Sequence, residues 1–116
     1  ISSISALSGM NDMNILYLED NKISDILYLG SMTNMTYLHL AVNNISSISA
    51  LSGMNDMNNL YLYSNQISDI SDLSGTVNLT YLYLYNNQIS DVSPLESLVE
   101  LTYLHYILNL CSIWNE

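Results

Sequence analysis

Residues 79–87 read LTYLYLYNN. Leucines stand at Leu79, Leu82 and Leu84, and asparagine ends the stretch at Asn87. Successive side chains of an extended strand point to opposite faces. Leu82 and Leu84 then share one face, and Tyr81, Tyr83 and Tyr85 share the other. An apolar face against a core is ordinary for a strand. A row of tyrosines on the opposite face, in a chain with no phenylalanine, needs its own explanation.

The stretch recurs. Asn21, Asn43, Asn65, Asn87 and Asn109 are spaced by 22 residues, and so are Ile1, Ile23, Ile45, Ile67 and Ile89, followed by Cys111. Numbered from Ile1, repeat positions 4, 7, 10, 13, 16 and 18 are apolar in nearly every copy. Position 16 is leucine throughout, at Leu16, Leu38, Leu60, Leu82 and Leu104. All six methionines fall at positions 10 and 13, where the last copy carries Leu98 and Leu101. So regular a stripe reads as core rather than as a cofactor box.

The pattern L-x-x-L-x-L-x-x-N is that of a leucine-rich repeat. It predicts an α/β repeat solenoid, one short strand per turn, near residues 15–19, 37–41, 59–63, 81–85 and 103–107. The strands stack into a parallel sheet on the concave face of a right-handed coil, and short loops or 3-10 turns form the convex face. About five repeats are expected in one domain over 1–116, at 1–22, 23–44, 45–66, 67–88 and 89–110, with a degenerate partial repeat at 111–116. No turn can bury its apolar residues alone, so stability comes from stacking. Each buried apolar side chain contributes roughly 1.5–3 kcal/mol before entropy is counted. The asparagine after each strand can donate to and accept from the backbone of neighbouring turns, forming a ladder of Asn21, Asn43, Asn65, Asn87 and Asn109. On the return limb, SDVSPLESL places Ser93 to cap a short helical turn with Pro94 first inside it. Ser5, Ser49 and Ser71 are the equivalent caps, and Leu27 and Tyr28 make the second copy irregular.

The segments NQISDISDLSGTVNLTYLYLYNNQIS and NNQISDVSPLESLVELTYL carry a closer resemblance. They resemble the 22-residue repeats of the internalins, bacterial surface proteins of the leucine-rich repeat class. The resemblance covers essentially the whole chain and implies a concave sheet that binds a protein, for instance a host surface receptor. It implies a parent protein at the bacterial surface or secreted. The family's helical cap, following immunoglobulin-like domain and wall-sorting signal have no counterpart in these residues. Tyr106, Cys111 and Trp114 depart from the core pattern. The chain, which starts at Ile1, therefore reads as a piece of a longer protein with uncapped ends open to end-to-end association.

The outward strand positions hold Ile15, Tyr17 and Glu19; Tyr37, His39 and Ala41; Asn59, Tyr61 and Tyr63; Tyr81, Tyr83 and Tyr85; and Tyr103, His105 and Ile107. Eight of the ten tyrosines are among them, which makes that face the candidate ligand-binding surface. Tyrosine offers a large, stiff, amphipathic contact at low entropic cost. A protein ligand fits such anchors, and a carbohydrate can stack on the rings. The competing account is that tyrosine favours strands and that duplicated repeats inherit it. Glu19 and Asp20 could pair with a basic side chain of a partner or remain solvated.

Charge narrows the partner. The formal net charge is −10, Lys22 is the only basic residue, and there is no arginine. Nucleic acid is excluded, because phosphates need clustered Lys and Arg. No run approaches the ~18 apolar residues of a membrane span. His39 and His105 share a column three strands apart, roughly 14 Å at about 4.8 Å per strand, too far to share a metal ion. The serines lie on the convex loops beyond their reach, so no catalytic residue is expected. Asp25, Asp69 and Asp91 recur at position 3 and read as loop hydrogen-bond acceptors rather than calcium ligands. No cofactor or metal is expected. A non-catalytic binding module leads; a cytosolic scaffold resembling phosphatase-regulating repeat proteins, or a structural spacer, is the alternative.

Overall fold

The computed structural model describes residues 1–105. Tyr106, Ile107, Asn109, Cys111, Trp114 and the partial repeat at 111–116 lie outside the described residues. Among the described residues, five strands alternate with five 3-10 turns. The strands are β1 (Ile15–Tyr17), β2 (Tyr37–His39), β3 (Asn59–Tyr61), β4 (Tyr81–Tyr83) and β5 (Tyr103–His105). The turns are η1 (Ser5–Leu7), η2 (Leu27–Leu29), η3 (Ser49–Gly53), η4 (Ser71–Gly75) and η5 (Ser93–Ser97). The sheet is parallel, in chain order β1-β2-β3-β4-β5. The register aligns Leu16, Leu38, Leu60, Leu82 and Leu104, so equivalent repeat positions stand side by side. This is the right-handed repeat solenoid that the 22-residue spacing requires. Among the described residues no helix is long and apolar enough to cross a membrane.

The strands are three residues long rather than five, but their hydrogen bonding runs on. Leu18 N donates to His39 O at 2.8 Å, Leu40 N to Tyr61 O at 2.8 Å and Leu62 N to Tyr83 O at 2.9 Å. Two residues further, Asp20, Val42 and Ser64, with Asn86 in the fourth copy, have φ between 57° and 62°. That left-handed residue ends the extended backbone and turns the chain off the sheet.

The second turn buries all seven inward positions: Ile23, Ile26, Leu29, Met32, Met35, Leu38 and Leu40 are each 2% exposed or less. The third does the same. In the fourth, Thr76 takes position 10, fully buried, and its hydroxyl donates to Leu73 O at 2.6 Å. The first turn is thinner. Of its apolar residues only Ile4 is buried, while Met10 is exposed.

The asparagines sit where the chain leaves the strands. Asn65 Oδ1 accepts from Ile45 N at 3.0 Å. Its Nδ2 donates to Leu40 O at 3.0 Å, Leu62 O at 3.1 Å and Tyr63 O at 3.3 Å. Asn43 and Asn87 repeat this set one turn either way, and Asn21 keeps its local bonds to Leu18 O and Glu19 O.

The return limb corrects one expectation. Ser5, Ser49, Ser71 and Ser93 do not cap the 3-10 turns; each is the first residue inside one. The preceding residue is Ile4, Ile48, Ile70 or Val92, which turns its side chain into the core. The side-chain acceptor comes from position 3. Asp69 Oδ1 accepts from Ser71 N, and Asp91 Oδ1 from Ser93 N, both at 2.9 Å. Asp25 does the same for Leu27 N at 3.0 Å. These bonds hold the Asp69 and Asp91 carboxyls below their ordinary pKa. The short η2 carries the irregularity expected from Leu27 and Tyr28, both exposed.

Candidate functional site

The parallel register converts sequence spacing into columns. The first is Ile15, Tyr37, Asn59, Tyr81 and Tyr103. The second is Tyr17, His39, Tyr61, Tyr83 and His105. Glu19, Ala41, Tyr63 and Tyr85 continue the first four strands two residues on. Inward leucines anchor each strand, so the outward side chains have no choice of face.

The rings touch along and across the columns. Tyr17 meets Tyr37 at 5.0 Å between centroids, Tyr37 meets Tyr61 at 5.4 Å, and Tyr61 meets Tyr83 at 4.9 Å. Tyr83 meets Tyr103 at 5.6 Å, and Tyr103 meets Tyr81 at 5.7 Å. Tyr63 and Tyr85 stack at 4.6 Å with planes 7° apart. Tyr63 also reaches Tyr83 at 6.4 Å. His39 joins through Tyr17, Tyr61 and Tyr63. Tyr17, Tyr37, His39, Tyr61, Tyr63, Tyr81, Tyr83, Tyr85 and Tyr103 thus form one connected aromatic surface. These separations lie in the range where ring pairs attract. Tyr17, Tyr81 and Tyr103 are exposed at the margins, and the other tyrosines are half-buried by their neighbours. Of the sequence-predicted surface residues, Ile107 and the side chain of His105 lie outside the described set.

Crowding alters the phenols. Burial, then hydrogen bonding with Tyr61 and Tyr17, raises the Tyr37 pKa well above the ordinary tyrosine value. Burial and neighbouring phenols push Tyr63 and Tyr83 the same way. Tyr37, Tyr63 and Tyr83 therefore present neutral hydroxyls, able to donate and accept.

His39 occupies an arrangement that column reading missed. Its Nε2 lies 3.6 Å from Glu19 Oε2, across the β1–β2 boundary and two residues along. That is a charge-range contact, too long for a hydrogen bond. Nδ1 is buried with no hydrogen-bond partner among the described residues. Burial lowers the His39 pKa, and the Glu19 carboxylate opposes it without outweighing it. Only a diagonal comparison of position 17 with position 19 of the preceding copy could have revealed the pair. Ala41, fully covered, is the smallest side chain of its row and lets Glu19 and Tyr63 converge on His39. Among the described residues, no group of three His, Cys, Asp or Glu could hold a metal ion.

Comparison with known proteins matches this geometry. The family described as Leucine Rich repeats (2 copies) matches over residues 33–75 and 77–113. The chain belongs to the leucine-rich repeat family, and within it is an internalin-like protein. Internalin C2 of Listeria monocytogenes is 36% identical, with a TM-score of 0.91 over 92% of this chain and 47% of that one. Internalin F of the same organism is 32% identical, with a TM-score of 0.90 over 91% of this chain and 31% of that one. The chain thus spans less than half of either internalin. A leucine-rich repeat protein of Leptospira interrogans, 22% identical, shares the fold at a TM-score of 0.79, over 84% of this chain and 26% of that one. None of the curated proteins compared with the chain matches it at a significant level.

Proposed function

We propose that this chain is a non-catalytic protein-binding module that recognises its ligand through the tyrosine-rich concave sheet. The contact residues are Tyr17, Tyr37, His39, Tyr61, Tyr63, Tyr81, Tyr83, Tyr85, Tyr103 and His105. One observation carries the reading: the ring contacts run without a break from β1 to β5. An aromatic surface of that extent on a rigid sheet is costly to leave in water and suited to anchoring a partner. The similarity to two Listeria internalins supports a bacterial surface or secreted parent protein.

The test is binding of the chain to cultured animal cells and to immobilised glycans. Its control is the chain with Tyr61, Tyr63, Tyr83 and Tyr85 changed to Ser, shown by circular dichroism to be folded. Cell binding lost in the variant supports the reading. Binding that the variant retains removes the concave face from recognition. Binding to glycans alone replaces the protein ligand with a carbohydrate.

A further inference from the structure

The binding role proposed above rests on rings; the charges around those rings narrow what they accept. We infer that the concave tyrosine face takes a cationic protein segment, one that lays arginine or lysine side chains across the rings.

Carboxylates stand ahead of three of the five strands and behind the first. Glu19 and Asp20 follow β1, and Asp12, Asp56 and Glu100 stand three residues ahead of β1, β3 and β5. Asp56 and Glu100 line one shallow depression with Thr36, Asn58, Asn78 and Thr80 beside the strand starts. All five carboxylates belong to exposed residues. Among the described residues the only contact between a carboxylate and a basic group is that of Glu19 with His39, an ion pair only when the imidazole is protonated. Burial keeps that imidazole neutral near pH 7, so it does not cancel the Glu19 charge. The chain carries a single basic side chain, Lys22. The framing charge is therefore left for a partner to neutralise.

The rings ask for the same chemistry. The face of a tyrosine ring attracts a cation within about 6 Å. A guanidinium lies flat on an aromatic ring while its edge donates two parallel hydrogen bonds to a carboxylate. An acidic partner would meet repulsion at both strand ends. A neutral sugar would stack on the rings and donate hydroxyl hydrogen bonds to the carboxylates, but would leave their charge unneutralised.

Fluorescence anisotropy of a labelled Arg-Gly repeat peptide, against its Lys-Gly and Glu-Gly counterparts, tests the inference. Four folded proteins are compared. They are the unaltered chain, a ring variant (Y63S/Y85S), a rim variant (E19Q/D56N/E100Q) and a convex control losing equal charge (D69N/D72N/D91N). The Arg-Gly peptide should bind the unaltered chain about tenfold tighter than the Glu-Gly peptide, and should weaken about tenfold between low and moderate salt. Ring and rim variants should each lose about tenfold, while the convex control stays within about twofold. Equal loss in rim and convex variants would reduce the effect to overall charge and overturn the inference. So would unchanged binding by the ring variant, or no binding at about 1 mM peptide. The cell-binding assay separates the two claims. Binding lost in the tyrosine variant but kept in the rim variant leaves the proposed function standing and removes the cationic partner. Binding kept in the tyrosine variant removes both.

Discussion

At the scale of single residues, two side chains sit under tension from their surroundings. His39 has a buried Nδ1 that would become an unpartnered donor on protonation. Its folded pKa lies below the ordinary 6.5, through burial. A histidine with a depressed folded pKa is protonated more readily in the unfolded chain. The stability effect is thus absent above about pH 6.5 and appears as a loss as pH falls toward the folded value. The NMR titration of the His39 ring should show a midpoint below 6.5. Glu19→Gln should lower it further, because the carboxylate is the influence that opposes burial. A midpoint at or above the ordinary value would contradict the buried placement. Val42 is the second case. It holds φ at 57°, where asparagine stands in the fourth copy and a β-branched residue is disfavoured. Val42 N donates to Tyr63 O at 2.9 Å and Val42 O accepts from Asn21 N at 3.1 Å, so the turn cannot relax. Val42→Asn should stabilise by about 1 kcal/mol, read from urea unfolding.

At the scale of one element, each turn depends on its inward leucine and its asparagine. Leu60 is fully buried at the centre of β3, between Leu38 and Leu82. Leu60→Ala should cost about 2–5 kcal/mol through the cavity left behind. An unchanged melting transition would mean that the register is wrong. Asn65→Ala removes a group that bonds four backbone atoms, and strands the Ile45 N–H inside. A buried polar group left alone costs about 1–3 kcal/mol, so Asn65→Ala should destabilise at least that much. Asn65→Asp should not rescue it, because a carboxylate cannot donate to the carbonyls of Leu40 and Leu62. Tyr83→Ser, on the opposite face, should spare the fold.

At the scale of the whole molecule, the coil extends 44 × 25 × 18 Å, and every turn leans only on its neighbours. Such chains have stability distributed along the stack. The inward positions of the second and third turns are fully buried, while Leu7, Met13, Leu16 and Leu18 of the first remain partly open. Hydrogen exchange should therefore be slowest at the Leu40 and Leu62 amides and faster at Leu18, although all three bond to the next strand. Uniform protection along the coil would contradict this gradient.

Much of this was legible because the repeat is so regular. A 22-residue period with apolar positions in fixed places leaves one solution for burying them, so strand positions, parallel register and inward leucines follow from spacing. The outward tyrosines follow too, since alternation along a strand assigns each to the solvent side. Return-limb detail was less legible. Ser93 in SDVSP looks like a cap, yet Val92 must turn into the core and Asp91 supplies the acceptor instead. Packing of one residue shifted the local bond by two. What the sequence alone determined is the coil, because its period and hydrophobic pattern act turn by turn between nearest neighbours. What only tertiary structure decided is how side chains from different turns lean together. The near-parallel stacking of Tyr63 on Tyr85 and the approach of Glu19 to His39 depend on rotamers and diagonal neighbours. Those are set by packing in three dimensions, which no spacing along the chain encodes.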